Sequence, residues 1–126
     1  MITGVGIDTI SISRVARLLE KHGERFLGKI FTERERYEGA NRLSNAPFFA
    51  ARFAAREAFY KALGTGWGRG LPLKEVSVVT DESGRPSLQF GERIKAELER
   101  MGIARCHLSL THDADSAIAV VILERE

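Results

Sequence analysis

Cysteine is nearly missing from this chain of 126 residues: Cys106 stands alone, which excludes a disulfide framework and any C-x-x-C zinc or redox motif. A lone thiol also makes a reducing, cytoplasmic setting the default. Proline is scarce, three residues in all, and with 44% hydrophobic and 29% charged residues the composition excludes wholesale disorder. No apolar run nears the roughly 20 residues of a membrane helix. The segment from Met1 to Asp8 lacks a basic stretch and carries an acid within its apolar run, so it is not read as a signal peptide. Neither sign of charge dominates, and a net charge of +2 is too small to imply nucleic acid by itself. The length suits one domain, expected over residues 1–126, with enough chain to bury a core.

What charge there is lies unevenly. Residues 41–70 hold Arg42, Arg52, Arg56, Lys61 and Arg69 against the single acid Glu57, a local balance of +4. Such a segment is either an ordinary solvated face, the commoner case, or a site for a phosphorylated or acidic partner.

Hydrophobic spacing predicts the elements. Residues 3–10 read as a short strand, with Gly4 and Gly6 permitting close backbone approach. Ser11 or Ser13 can cap a helix carrying Val15, Leu18 and Leu19, which Gly23 ends or interrupts. Thr32 with Glu35 forms a capping-box signature for a second helix. The longest helical pattern runs from Asn45, through Pro47, to Leu63, with Gly64 as its C-cap. Its many alanines and phenylalanines predict a central helix packed on several sides. A glycine-rich loop follows. Then come a hairpin (76–79 with 87–90), a helix over 91–101, and strands over 106–110 and 117–123 joined by a polar turn at 111–116. This order argues α+β rather than a doubly wound sheet.

Three places can carry chemistry. Glu57 and Lys61, four apart, share a helix face. They form either a plain ion pair or a carboxylate that holds a hard cation beside an ammonium that holds phosphate, and spacing leaves both open. Asp8 sits in an otherwise apolar strand, where an exposed strand end is the commoner reading and a Mg²⁺ ligand the sharper one. His112 ends an alternating stretch, and strand-end histidines are most often turn residues. No G-x-S-x-G elbow supports a serine nucleophile, and the glycine loop follows a helix without a Gly-Lys-Ser/Thr end, so it fails as a P-loop.

In register, these segments resemble the holo-[acyl-carrier-protein] synthases, the small 4′-phosphopantetheinyl transferases. Three blocks carry the resemblance: Gly4-Val5-Gly6-Ile7-Asp8 with Arg14 beyond; Ala51-Arg52-Phe53-Ala54-Ala55-Arg56-Glu57-Ala58 running on through Lys61 to Gly66; and His107-Leu108-Ser109-Leu110-Thr111-His112. Arg56 stands where the family usually has lysine, and Thr111 where serine is common; both changes are read as weakening specific contacts.

The resemblance implies an antiparallel sheet packed against a long central helix, in a trimer with sites between subunits. It implies transfer of 4′-phosphopantetheine from coenzyme A to a serine of apo-acyl carrier protein, releasing adenosine 3′,5′-bisphosphate and serving fatty acid biosynthesis. Asp8 and Glu57 would hold Mg²⁺, and Lys61 would complete the catalytic set at a phosphate oxygen. The proton acceptor stays open between Glu57 and a water at the metal. Arg52, Gly64, Gly66 and His112 would join Lys61 in binding coenzyme A, while Arg14 and Leu18 would dock the acidic carrier protein, with Arg25 next in line. Two rival classes stand beside this. A single-strand-binding module would need aromatics on a sheet face, whereas the phenylalanines here have helical spacing. A non-catalytic scaffold would have no use for Asp8, Glu57 and Lys61 together.

Overall fold

A computed structural model describes residues 1–64 and 72–126. In chain order the elements are β1 (Ile2–Ser11), α1 (Ile12–His22), α2 (Glu24–Ile30), α3 (Glu33–Ala40) and α4 (Ala46–Leu63). A short 3₁₀ turn (Leu73–Glu75) then leads to β2 (Val76–Thr80), β3 (Pro86–Phe90), α5 (Glu92–Arg100), β4 (Ile103–Asp113) and β5 (Ser116–Arg125). The expected α+β class is found. The strands divide into an antiparallel sheet of order β1-β5-β4 and a separate β2–β3 hairpin.

Helix α4 is the centre of the molecule, with 14 of its 18 residues buried. Apolar residues occupy most of its circumference because it is packed on most sides, with Glu57 and Lys61 on the part left open. One side meets the sheet, the hairpin and α5 through Ala55, Ala58, Phe59, Val78, Ile94, Ala119 and Val121. The other meets α1–α3 through Phe31, Phe48, Phe49 and Val15. Phe31 and Phe49 lie 4.9 Å apart, and Phe48 meets Phe49 edge-on at 5.2 Å.

The contact between β1 and α4 is unusually close. A Cβ on Gly4 would fall 2.1 Å from the Ala62 carbonyl oxygen, and one on Gly6 would fall 1.9 Å from that of Ala58. Strand backbone therefore lies directly on helix backbone, which only glycine permits. Residues 4, 6 and 8 share this face of the strand.

Several expectations change. The polar turn expected over 111–116 shrinks to Ala114-Asp115, because β4 and β5 continue pairing to Asp113↔Ser116. His112 is consequently inside a strand, opposite Ala117, and is not a turn residue. Ala114 takes the left-handed conformation, φ 50°, that closes so tight a connection. Gly23 interrupts the helical run, closing α1 and preceding α2, a separate helix of two turns whose Gly28 leaves little periodic signal. Thr32 and Glu35 do form the reciprocal capping box, and Ser11 caps α1 by accepting from the Arg14 amide at 3.2 Å. Asn45 precedes α4 but makes no side-chain cap.

Candidate functional site

Asp8 is not at an exposed strand end. It lies mid-strand opposite Ala119, on the face that carries Gly6, and its side chain is only 10% exposed. The glycines draw the strand onto α4 and bring this carboxylate beside the helix. Lys61, half exposed in the last turn of α4, reaches across 53 residues of sequence to donate to Asp8 Oδ1 at 2.7 Å and to the Ile7 carbonyl at 3.0 Å. The hydrogen bond from Lys61 to Asp8 holds the ammonium above its ordinary pKa, and Glu57 adds attraction in the same direction. Lys61 is therefore cationic throughout the neutral range. Two of its three N–H donors are used in these bonds, leaving one for a ligand oxygen.

The other oxygen, Asp8 Oδ2, is buried and has no hydrogen-bond partner in the structure. A buried carboxylate oxygen without a donor is costly unless a cation meets it. That orphaned atom, on a carboxylate bonded to the Lys61 that half-buried Glu57 also attracts, fits a hard divalent ion, which takes one or two protein carboxylates and fills its other positions with water and phosphate. Among the described residues no group of three or more His, Cys, Asp or Glu is placed for a metal. The donor set therefore suits a cation shared with a phosphate and not a closed protein cage.

Glu57 lines a cavity of about 300 Å³ with Thr9, Ile10, Ser11, Arg14, Val15, Leu18 and Phe53. The expected docking pair, Arg14 and Leu18, thus opens directly onto the expected metal carboxylate. Arg25 is elsewhere, in a cavity with His22, Phe26 and Lys29.

Arg52 and His112 also come together, in a third cavity of about 260 Å³ with Arg42, Phe48, Leu110 and Thr111 on its wall. The Arg52 guanidinium stacks 3.6 Å above the Phe48 ring, a contact that desolvated arginine makes well. Burial pushes its pKa down to about 10, which leaves it charged at neutral pH. This cavity shares no lining residue with the one at Glu57. The expected coenzyme A residues thus divide between two places on one chain.

Gly64 caps α4 in the left-handed conformation, φ 80°. Its N–H bonds to the Tyr60 and Lys61 carbonyls, so what it offers a ligand is the turn and not a free amide. Gly66 lies outside the described residues.

The +4 segment is a solvated face only in part: Arg42 and Lys61 are exposed, and Arg69 lies outside the described residues. Arg52 is buried, and Arg56 is 0% exposed against a Glu35 that is 1% exposed. Arg56 pairs with both oxygens of Glu35, donates to the Leu73 carbonyl at 3.0 Å and to that of Arg52 at 3.2 Å, and lies over the Phe31 ring at 4.8 Å. Glu35 also accepts from the Val78 amide at 3.1 Å. Arginine at this position makes a set of contacts that its planar fork allows and an ammonium could not complete. Sequence reasoning missed this hub and the role of Phe48. A capping-box acid that is also buried gives no signal beyond the cap.

The chain is similar to known proteins along nearly its whole length. The family model of the 4′-phosphopantetheinyl transferase superfamily matches residues 4–121. A holo-[acyl-carrier-protein] synthase of Maridesulfovibrio salexigens is 42% identical over 99% of this chain and 100% of its own. The crystal structure of a Neisseria meningitidis holo-[acyl-carrier-protein] synthase superposes with a TM-score of 0.92 at 36% identity, covering 99% of this chain and 100% of that one. A Bacillus anthracis holo-(acyl-carrier-protein) synthase in complex with CoA (3′,5′-ADP) gives 0.83 at 34% identity, covering 100% and 99%.

Proposed function

Since this chain belongs to the 4′-phosphopantetheinyl transferase superfamily, and within it to the holo-[acyl-carrier-protein] synthases, we propose that it moves 4′-phosphopantetheine from coenzyme A to a serine of apo-acyl carrier protein. It is an enzyme, and adenosine 3′,5′-bisphosphate is the second product. The observation that carries the reading is the Asp8–Lys61 pair with its unpartnered carboxylate oxygen, one helical turn from the Glu57 that lines a cavity with Arg14 and Leu18.

The chemistry follows from these groups. The serine oxygen attacks the phosphorus that bears the pantetheine arm, and the bond from that phosphorus to the bridging oxygen of the pyrophosphate breaks. The remaining N–H of Lys61 binds a phosphate oxygen and neutralises charge that grows as the bond breaks. Asp8 orients Lys61 with Oδ1 and offers Oδ2, together with Glu57, to Mg²⁺. An Mg²⁺ ion held there would supply further neutralisation of the pyrophosphate. Glu57 or solvent takes the serine proton. Arg52 and His112 bind the nucleotide end of coenzyme A. Incubating the protein with coenzyme A, Mg²⁺ and apo-carrier protein should add the phosphopantetheine mass to the carrier. No mass gain with several carrier proteins would overturn the assignment.

The division of the coenzyme A residues between two cavities favours a site completed by a neighbouring subunit. The outer face of the sheet supports this. Val5 and Ile7 are 61% and 59% exposed, and register places Ile122 and Val120 beside them, with Ile118 next on the same face. An apolar face of this kind on a small protein is an association surface. A homotrimer is the expected assembly, checked by a solution mass near three times the 14.0 kDa chain; a monomer at assay concentration would sink it. The setting is cytoplasmic, favoured by the single thiol, which burial makes unreactive by pushing its pKa up to about 12. Among the described residues no helix is long and apolar enough to cross a membrane. The role in fatty acid biosynthesis follows from the carrier protein that is modified.

A further inference from the structure

Helix α1 depends for its start on a residue 104 positions away. Asp115, in the turn between β4 and β5, accepts from the Ser11 hydroxyl, the Ser13 amide and the Ser13 hydroxyl, each at 2.8 Å. Its carbonyl accepts from the Ile12 amide at 2.8 Å. The Ser11 oxygen so held is the one that accepts from the Arg14 amide. Three of the amides that a helix start leaves without partners are thus satisfied by Asp115, directly or through Ser11.

The rest of α1 is weakly held. It is 11 residues long, Val15 is its only buried residue, and it has no acid of its own in its first turn. A helix of that length is marginal by itself, and a carboxylate at its N-terminus also meets the positive end of the helix dipole. The hydrogen bonds from Ser11 and Ser13 hold the Asp115 carboxyl below the usual range, so the anchor is charged under ordinary conditions.

We infer that Asp115 is a positioning residue for carrier-protein docking: from the β4–β5 turn it fixes the first turn of α1, and with it the direction in which Arg14 is presented at the cavity shared with Glu57. This rests on the reading of Arg14 as a docking residue. Asp115 is not on the wall of the cavity at Glu57 or of the cavity at Arg52 and His112, so its loss is expected to act through Arg14 on the carrier protein alone.

The test measures transfer with each substrate varied in turn. Arg14→Ala comes first, because a carrier-protein KM that it leaves unchanged overturns the docking reading itself. With that effect in hand, Asp115→Ala should raise the carrier-protein KM about fivefold, the range that loss of a helix cap produces, and leave the coenzyme A KM unchanged. Asp115→Asn, whose amide still accepts from the Ser13 N–H, should restore most of the affinity. Ser13→Ala, a milder change that keeps the Ser11 bond, should give a smaller rise and serves if the alanine at 115 does not fold. In an Arg14→Ala background the Asp115→Ala change should add little, since the presented group is gone. Equal damage to both KM values, full additivity with Arg14→Ala, or no rescue by asparagine would each overturn the inference.

Discussion

Asp8→Asn should lower transfer by about a hundredfold or more at limiting Mg²⁺, the range seen when one electrostatic group is removed from an active site. The fold should survive. Asparagine keeps the shape of the side chain, and the lost ion pair has a half-exposed lysine partner, so it contributes at most about 1 kcal/mol. What is lost is charge at two atoms: Oδ1, which orients Lys61, and Oδ2, which is buried and unpartnered. Raising Mg²⁺ should recover part of the rate if Asp8 contributes to holding the ion. Lys61→Met, which keeps the aliphatic stem, should lower transfer by more than about tenfold, the equivalent of one charge-assisted hydrogen bond. Full activity of Asp8→Asn at low Mg²⁺ would remove that carboxylate from the site.

The largest effect on stability is expected at Arg56, although it neighbours Glu57 in the chain. Arg56→Met leaves the Glu35 carboxylate in the core without its cation, which costs about 3 kcal/mol. For a protein of this size that lowers the melting temperature by about 10 °C. Glu35 keeps its bonds from the Thr32 amide and the Val78 amide, so the penalty stays at the lower end for a broken buried pair. Combining Arg56→Met with Glu35→Gln should be less harmful than the two single changes added together, because no charge is then stranded. Arg56→Lys should fall between. It keeps the charge and loses the bond to Leu73 and the paired fork. Calorimetry decides the matter, and a loss below about 3 °C for Arg56→Met would show that the pair holds little together.

These two residues also mark how far the sequence could be read. Local signals were sound where structure is local. Thr32 and Glu35 announced a cap, Gly64 a helix end, and the alanine–phenylalanine pattern a buried α4. Asp8, Glu57 and Lys61 stand out in the sequence because charge is rare among such neighbours. Burial was less legible. Strand grammar favours an exposed acid, and only the contact of Gly4 and Gly6 with α4, made across more than fifty residues, puts Asp8 inside. Arg56 looked like one more surface base because its partner is on α3. The polar run at 111–116 reads as a loop, yet pairing across β4 and β5 draws most of it into strands and leaves His112 on a cavity wall. Asp115 gave no signal at all, since what it holds is at the other end of the chain.

The seam between β1 and α4 has a consequence for how such an enzyme can change. An interface built of side chains can be retuned by exchanging one residue for another. Two main chains lying against each other at Gly4 and Gly6 offer nothing to exchange, because the smallest addition strikes a carbonyl oxygen. The relation of Asp8 to Lys61 is therefore inherited whole or lost whole. In the reaction proposed here, variation that alters which carrier protein is accepted has to come from the rim: the exposed face of α1 and the wall around Arg52 and His112. Random mutagenesis selected for a new acceptor should accumulate changes there and leave the glycines untouched.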